Sequence, residues 1–270
     1  MENKICVYAI CKNESQFVEK WLDSMSEADY IVVLDTGSED GTYEKLKADP
    51  RVTRVEQKVI SPWRFDVARN ESLKLAPEDT TVYICTDLDE ILHKGWGDAL
   101  RSKWIPNVHV RANYKYIWSH TNTGEPGRVF WYNKIHDKNW IWKHPVHELL
   151  IPTTDLTDNY ISEHTLSLWD DVTLEHFPDR TKSRGSYLPL LELRAEESPD
   201  DYYGLFYLSH EYYYRGFYDK SIDILTKIVN EYADKYSNLD KAAAYLFLGD
   251  DWRAGQPRQS TLEHIPYHSR

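Results

Sequence analysis

The sequence predicts an α/β domain with a mainly parallel sheet, followed by a smaller all-α domain. Strand-like and helix-like patterns alternate over the first ninety residues, and the patterns after His176 are helical. Alternation of this kind is typical of βαβ units, whose strands pair in parallel. At 270 residues the chain is longer than a typical domain. We therefore expect two domains, over residues 1–178 and 179–270.

Four runs rich in Val, Ile, Tyr or Thr predict the strands of the parallel part. They span residues 4–11, 30–35, 52–56 and 81–86. The segments between them have apolar residues at helical spacing, which predicts helices on the faces of the sheet. These segments span residues 14–25, 40–48 and 66–76.

The pattern changes between residues 107 and 151. Aromatic and β-branched stretches are separated there by Asn, Gly and Pro, as in NTGEPG. Such stretches predict antiparallel strands appended to the sheet, on the side where an acceptor would bind. Helices are then predicted over 182–197, 202–214 and 218–232.

The last predicted helices have the spacing of a tetratricopeptide repeat. Small residues at Ser209 and Ser221 would let two helices approach each other, and Gly216 would allow the turn between them. A second copy begins at Tyr245 and stops after one helix. Because such repeats need neighbours to cover their apolar faces, this fragment should pack on the first domain or form a homodimer.

Composition excludes several classes of partner. The net charge of -12 disfavours a nucleic acid or an anionic lipid surface. The apolar run from Ile5 to Cys11 is too short to span a membrane and lacks the flanks of a secretory signal. Three cysteines without disulfide spacing fit a cytoplasmic setting.

Five of the 10 Trp lie between Trp104 and Trp142, which indicates either a carbohydrate-binding surface or an aromatic core.

The segment CTDLDE carries the most informative pair of acids. Asp87 and Asp89 follow an apolar strand, where residues i and i+2 point to the same side. Two converging carboxylates suit Mg²⁺ or Mn²⁺, and such a cation can neutralise a diphosphate leaving group. The alternative is a pair of exposed acids at a strand end.

Three other segments also stand at strand ends or precede a strand. They are CKNES (11–15), LDTGSEDGT (34–42) and FDVARNESLKLA (65–76). The carboxyl ends of parallel strands are where open α/β sheets bind ligands. Together with CTDLDE, in this order and spacing, these segments resemble the nucleotide-binding half of family 2 glycosyltransferases, which have the GT-A fold. The resemblance covers residues 4–90, and the helical tail resembles the tetratricopeptide extension of some members.

The resemblance implies a nucleotide-sugar donor, expected to be a UDP-hexose. It places Arg69 near the nucleotide, Asp87 near the ribose or sugar, Leu88 among the residues that bind the donor, and Asp89 on a Mn²⁺ or Mg²⁺ ion. Five further residues are implied to line the base and ribose. They are Ala9, Cys11, Glu14, Asp35 and Thr36. Many members have a second Asp at the position of Thr36, and that carboxylate reads the uracil.

An inverting transfer also needs a carboxylate that takes the proton of the acceptor hydroxyl. Related enzymes have an acid at the acceptor site in a segment similar to KHPVHELL, which implies Glu148 as this base. Asp137 and Glu125 are the alternatives.

GT-A enzymes often add a late histidine to the metal, which implies His176 as a ligand. His147 and His164 compete for this role. Arg128, together with Lys143 or His144, would balance the charge of the diphosphate.

The resulting hypothesis is an inverting, metal-dependent transfer of a sugar to a glycan, a lipid-linked glycan or a peptide. A nucleotidylyltransferase would need a Gly-rich loop with Arg after the first strand, and CKNES is not such a loop. In a third hypothesis the chain is a non-catalytic scaffold, and its C-terminal helical repeat recruits a protein partner. This hypothesis is disfavoured because the chain retains four residues with expected catalytic or binding roles, namely Asp87, Asp89, Arg69 and Glu148.

Overall fold

A computed structural model describes residues 3–179, 185–231 and 247–249. The chain divides into two compact units, Met1–Lys182 and Ser183–Arg270. The described part of the first unit combines a large sheet with helices, and the described part of the second is helical. No helix among the described residues has the length and hydropathy of a membrane-spanning segment.

The first unit contains an eight-stranded sheet and a separate two-stranded sheet. The large sheet consists of β1 (Ile5–Cys11), β2 (Tyr30–Asp35), β3 (Arg54–Gln57), β4 (Val82–Thr86), β5 (Glu90–Leu92), β6 (Arg111–Ile117), β7 (Val129–His136) and β10 (Thr165–His176). The small sheet pairs β8 (Trp140–Lys143) with β9 (Leu149–Pro152) in antiparallel fashion.

Strand order in the large sheet is β3-β2-β1-β4-β7-β6-β10-β5. The first four strands of this order are parallel, with Cys11 opposite Asp35 and Ala9 opposite Thr86. Their carboxyl ends therefore lie at one edge. Beyond them, β7 is antiparallel to both β4 and β6, β10 is parallel to β6, and β5 is antiparallel to β10.

Helices cover the large sheet and make up the second unit. They are α1 (Val18–Met25), α2 (Thr42–Ala48), α3 (Phe65–Leu73), α4 (Trp96–Lys103), α5 (Asp158–Glu163), α6 (Tyr187–Glu197), α7 (Tyr202–Tyr214) and α8 (Tyr218–Glu231). Trp21 and Trp96 are fully buried in the main core. The four predicted strands and three helices of the parallel part are present with ends shifted by a few residues, whereas β5, α4, α5 and β10 were not predicted.

In the second unit, α7 and α8 approach each other at two serines. The Ser221 hydroxyl donates to the Ser209 carbonyl at 2.8 Å, and both residues are fully buried. Gly216 takes a φ of +79° between the helices, in the left-handed region that favours glycine. Tyr245, where the second repeat is predicted to begin, lies outside the described residues. The tetratricopeptide assignment stays a prediction.

A buried hydrogen-bond chain joins the small sheet to the large one. Trp142 Nε1 donates to the Tyr8 hydroxyl at 2.9 Å, and this hydroxyl lies 2.8 Å from His136 Nε2. His136 Nδ1 lies 2.5 Å from the Asp137 carbonyl oxygen. Because a carbonyl only accepts, His136 Nδ1 carries a hydrogen, and Nε2 of the neutral ring then accepts from the Tyr8 hydroxyl.

This burial makes the stability of the first unit depend on pH through His136. Desolvation lowers the pKa of His136 from 6.5 to about 4, so the unfolded chain binds a proton first as the pH falls. Between pH 7 and pH 5 we expect His136 to remove about 2 kcal/mol from the free energy of unfolding. Urea unfolding followed by tryptophan fluorescence at both pH values measures this loss. In His136→Asn the loss of unfolding free energy between pH 7 and pH 5 should be smaller by about 2 kcal/mol. An equal loss in the unaltered protein and in His136→Asn would show that His136 does not cause it.

Candidate functional site

The candidate site lies at the edge where β1, β2 and β4 end. Asp87 and Asp89 follow β4 directly, and β5 begins at Glu90. The Asp87 side chain is 33% exposed and that of Asp89 is 15% exposed, so ligands can reach both carboxylates. The strand end thus presents two acids at a partly open edge.

Arg69 is the residue that brings the predicted groups together. It lies on α3 and is buried, yet it contacts two carboxylates. Its guanidinium binds Asp87 through two nitrogens, at 2.9 Å and 3.2 Å, and its Nε donates to Glu148 Oε1. It also stacks over the ring of Trp142, 5.2 Å from the centroid. The predicted nucleotide-side residues and the predicted base are therefore in direct contact.

The position of α3 is fixed by the small sheet. The Asn70 side chain donates to the Trp142 carbonyl at 2.8 Å and accepts from its N–H at 2.9 Å. The Phe65 N–H donates to the Pro145 carbonyl at 3.0 Å, at the start of the helix. These bonds hold Arg69 against the loop that carries Glu148.

That loop has an unusual backbone. His144 has a φ of +82° and His147 a φ of +48°, in the left-handed region that non-glycine residues seldom adopt. Such conformations cost about 1–3 kcal/mol each and persist where the surroundings enforce them. The bends direct Glu148 inward, where its side chain is only 11% exposed. Its Oε2 has no hydrogen-bond partner among the described residues.

Lys134 and Glu90 complete the charged cluster. Lys134 on β7 is buried, with Nζ 3.5 Å from Asp87 Oδ2 and 3.7 Å from Glu90 Oε1. Glu90 also accepts from the Tyr116 hydroxyl at 2.8 Å and from the Asp87 N–H at 2.9 Å. Neither residue was predicted from the sequence, although both contact Asp87.

In the charged cluster the pKa of Asp87 is lowered and the pKa of Glu90 is raised. Burial alone would raise the pKa of Asp87, but the charges of Arg69 and Lys134 outweigh it and hold this pKa well below its usual range. Burial raises the pKa of Glu90, and the nearby Lys134 only partly opposes this effect. Asp87 is therefore a permanent anion at neutral pH.

His176 lies at the end of β10, beside Asp89. Its Nε2 is 3.4 Å from Asp89 Oδ2, and its Nδ1 is 3.1 Å from the Trp118 carbonyl oxygen. His164, an alternative ligand, instead stacks on Tyr160. Within the described ranges, no group of three or more His, Cys, Asp or Glu side chains is arranged to hold a metal ion.

The two loops after β1 and β2 bond to each other. The Asp35 carboxylate accepts from the Gly37 N–H at 2.9 Å, the Ser38 N–H at 2.8 Å and Gln57 Nε2 at 3.0 Å. Burial opposes ionisation here, but these hydrogen bonds outweigh it and lower the pKa of Asp35. The Thr36 hydroxyl lies 3.0 Å from the Cys11 carbonyl oxygen, to which it donates. These side chains are thus engaged within the protein.

The remaining predicted nucleotide-side residues are buried. Ala9 and Leu88 are fully buried and pack in the main core, so their side chains offer no surface to a ligand. Cys11 is 4% exposed and its thiol lies 3.4 Å from Asp35 Oδ2. The Glu14 N–H donates to the Thr42 hydroxyl at 2.8 Å, which ties the loop after β1 to α2.

The alternative base candidates lie elsewhere in the first unit. Asp137 accepts from Asn139 in the turn between β7 and β8, and Glu125 is exposed between β6 and β7.

Most of the five tryptophans between Trp104 and Trp142 belong to the core. Three of them are buried, namely Trp104, Trp140 and Trp142. Trp118 stacks near His176, and Trp131 is 50% exposed.

Comparisons with known proteins give weak likenesses. No family model and no curated protein matches the chain. Glucosyl-3-phosphoglycerate synthase from Mycobacterium tuberculosis, in complex with phosphoglyceric acid, has 22% identity and a TM-score of 0.34, over 42% of this chain and 44% of that one. S. aureus TarS 1-349 in complex with UDP-GlcNAc has 15% identity and a TM-score of 0.40, over 93% of this chain and 81% of that one.

A third solved structure is the inositol-1-phosphate CTP transferase from T. maritima. It has 8% identity and a TM-score of 0.37, over 73% of this chain and 98% of that one. All three TM-scores lie below 0.5, so these likenesses assign neither a family nor an activity.

Removing the Arg69 charge should strongly destabilise the first unit. In Arg69→Met the carboxylates of Asp87 and Glu148 lose their shared cation, and we expect a loss of about 3–5 kcal/mol in the free energy of unfolding. Urea unfolding measures it by tryptophan fluorescence, because nine of the 10 Trp precede residue 182. The control is Arg54→Met, which breaks a surface pair with Glu56 and should cost about 0–1 kcal/mol. Equal losses in the two variants would show that Arg69 has no special role.

Proposed function

We propose that the chain is an inverting, metal-dependent glycosyltransferase that uses a nucleotide-sugar donor, specifically a UDP-hexose. One observation carries the proposal. At the carboxyl edge of a parallel sheet, Asp87 contacts Arg69, Arg69 contacts Glu148, and Asp89 lies beside His176. Open α/β sheets bind ligands at this edge. In this proposal Asp89 and His176 would bind the cation, Arg69 would provide a fixed positive charge, and Glu148 would act as the base.

The nucleoside would bind against the loops after β1 and β2. Asp35 and Thr36 already hydrogen-bond within the protein, so their side chains are poorly suited to read a base. We propose that these loops recognise uracil through main-chain groups and shape. The Asp87 carboxylate, a permanent anion held by Arg69, would accept a hydrogen bond from the ribose or the sugar.

The charge balance of the cluster favours a divalent cation. Asp87, Glu90 and Glu148 lie close to the two buried cations, Arg69 and Lys134. Asp89 has no Lys or Arg partner among the described residues and lies beside His176. Asp89 and His176 would hold the ion. The donation from His176 Nδ1 to a backbone carbonyl is the orientation usual for metal-binding histidines. Two protein ligands leave the remaining positions to diphosphate oxygens and water, which suits Mn²⁺ or Mg²⁺. Bound there, the ion would neutralise the leaving diphosphate.

Glu148 would act as the general base. Its Oε1 is held by Arg69, while Oε2 has no partner among the described residues. The acceptor hydroxyl attacks the anomeric carbon, the bond from that carbon to the diphosphate oxygen breaks, and Glu148 takes the hydroxyl proton. Because attack occurs opposite the leaving diphosphate, the anomeric configuration inverts. The acceptor would be a glycan, a lipid-linked glycan or a peptide.

Two substitutions separate binding from chemistry. Asp89→Ala should lower the affinity for UDP in Mn²⁺ to the level that the unaltered protein shows with EDTA, because the ion loses a carboxylate ligand. Glu148→Gln should bind UDP within about twofold of the unaltered protein while hydrolysis of UDP-GlcNAc falls about 100-fold, the usual range for losing a general base. Calorimetry measures binding, and phosphatase-coupled release of UDP measures turnover.

Asp171→Ala is the matched control, because Asp171 is a partly exposed acid on β10 that pairs with Lys103. It should leave both measurements unchanged. If the unaltered protein bound UDP equally with Mn²⁺ and with EDTA, metal dependence would be wrong. If it bound no UDP at all, the proposed function itself would fail.

A further inference from the structure

The connection between β6 and β7 carries an arginine beside the candidate site. The Arg128 guanidinium lies over the ring of Trp118, with its central carbon 5.5 Å from the ring centroid. The same indole stacks with His176 at a centroid distance of 6.4 Å and an interplanar angle of 27°. Trp118 therefore contacts both the exposed arginine and the histidine proposed to hold the metal.

The backbone around Arg128 is fixed by hydrogen bonds. The Trp118 N–H donates to the Arg128 carbonyl at 2.9 Å, and the Arg128 N–H donates to the Ser119 hydroxyl at 3.0 Å. The Gly127 N–H donates to the Ser119 carbonyl at 2.8 Å. A side chain at Gly127 would meet the Ser119 hydroxyl at 3.0 Å, so the two segments approach as closely as glycine allows. The arginine is held in place before any ligand binds.

The Arg128 guanidinium has no carboxylate partner within 4.0 Å in the described part of the chain. The two cations of the charged cluster differ from it, because Arg69 pairs with Asp87 and Glu148, and Lys134 lies near Asp87 and Glu90. Stacking on an aromatic ring uses none of the N–H donors of a guanidinium. Arg128 thus presents a positive charge and several donors to solvent.

We propose that Arg128, held on Trp118, is an anion-binding site that takes a phosphate or carboxylate group of a bound substrate. The planar guanidinium can donate two parallel hydrogen bonds to such a group. Two sources share this chemistry, the donor diphosphate and an acidic group on the acceptor. The inference rests on the proposed function, because it needs a substrate next to His176.

The first arm of the test concerns the donor. Calorimetry with Mn²⁺ compares UDP and uridine binding to the unaltered protein, Arg128→Gln, Arg128→Lys and the control Arg54→Gln. If the diphosphate is the anion, Arg128→Gln weakens UDP binding about tenfold and leaves uridine binding unchanged. The affinity of Arg128→Lys for UDP should lie between those of the unaltered protein and Arg128→Gln, because lysine keeps the charge and lacks the planar guanidinium. Arg54→Gln removes an equal charge at a distant surface pair and should change neither value.

The second arm concerns the acceptor. Inorganic phosphate and glucuronate are titrated into protein saturated with UDP and Mn²⁺. If the acceptor carries the anion, the unaltered protein binds one of these probes and Arg128→Gln weakens that binding at least tenfold, while UDP binding is unchanged. The inference is overturned if Arg128→Gln matches the unaltered protein within twofold for UDP and both probes, or if Arg54→Gln has the same effect. Normal Mn²⁺-dependent UDP binding in that case would leave the proposed function intact.

Discussion

The candidate site depends on the burial of one arginine. Removing a guanidinium from water is costly, and only close pairing with carboxylates offsets that cost. Arg69 meets this requirement with Asp87 after β4 and Glu148 after β8, so three separate segments must hold their positions together. Trp142 supports the guanidinium from the small sheet, and Asn70 bonds the same residue along its backbone. The charged edge of the sheet is therefore fixed before any substrate binds.

Much of the first unit follows from local pattern. The parallel strands are apolar runs, and their helices have apolar residues at helical spacing, so both were predicted to within a few residues. Strand β10 was missed because its alternation breaks at a register shift between Leu168 and Thr173, where Asp170 and Asp171 interrupt the apolar positions. The placement of β7 between β4 and β6 was not predictable either, because strand order depends on long-range pairing.

The residues of the candidate site were easier to predict where acids follow an apolar strand than where charged groups are buried. Motif position pointed to Asp87 and Asp89, and resemblance pointed to Arg69, Glu148 and His176. Lys134 was missed because a lone lysine in an aromatic strand usually extends into solvent. The alternation of inward and outward residues along β7 could have identified Lys134, because it places Lys134 on the same inward face as Phe130 and Tyr132. The internal bonding of Asp35 and Thr36 depends on loop contacts that no local pattern encodes.

A crystal structure with UDP and Mn²⁺, in which anomalous scattering locates the manganese, would show directly whether Asp89 and His176 hold the cation beside the donor. We expect a single strong anomalous peak at the carboxyl edge, within about 2.6 Å of an Asp89 carboxylate oxygen, of His176 Nε2 and of diphosphate oxygens. The uracil should lie against the loops after β1 and β2. Manganese bound away from Asp89 and His176, or UDP bound away from this edge, would contradict the proposed function.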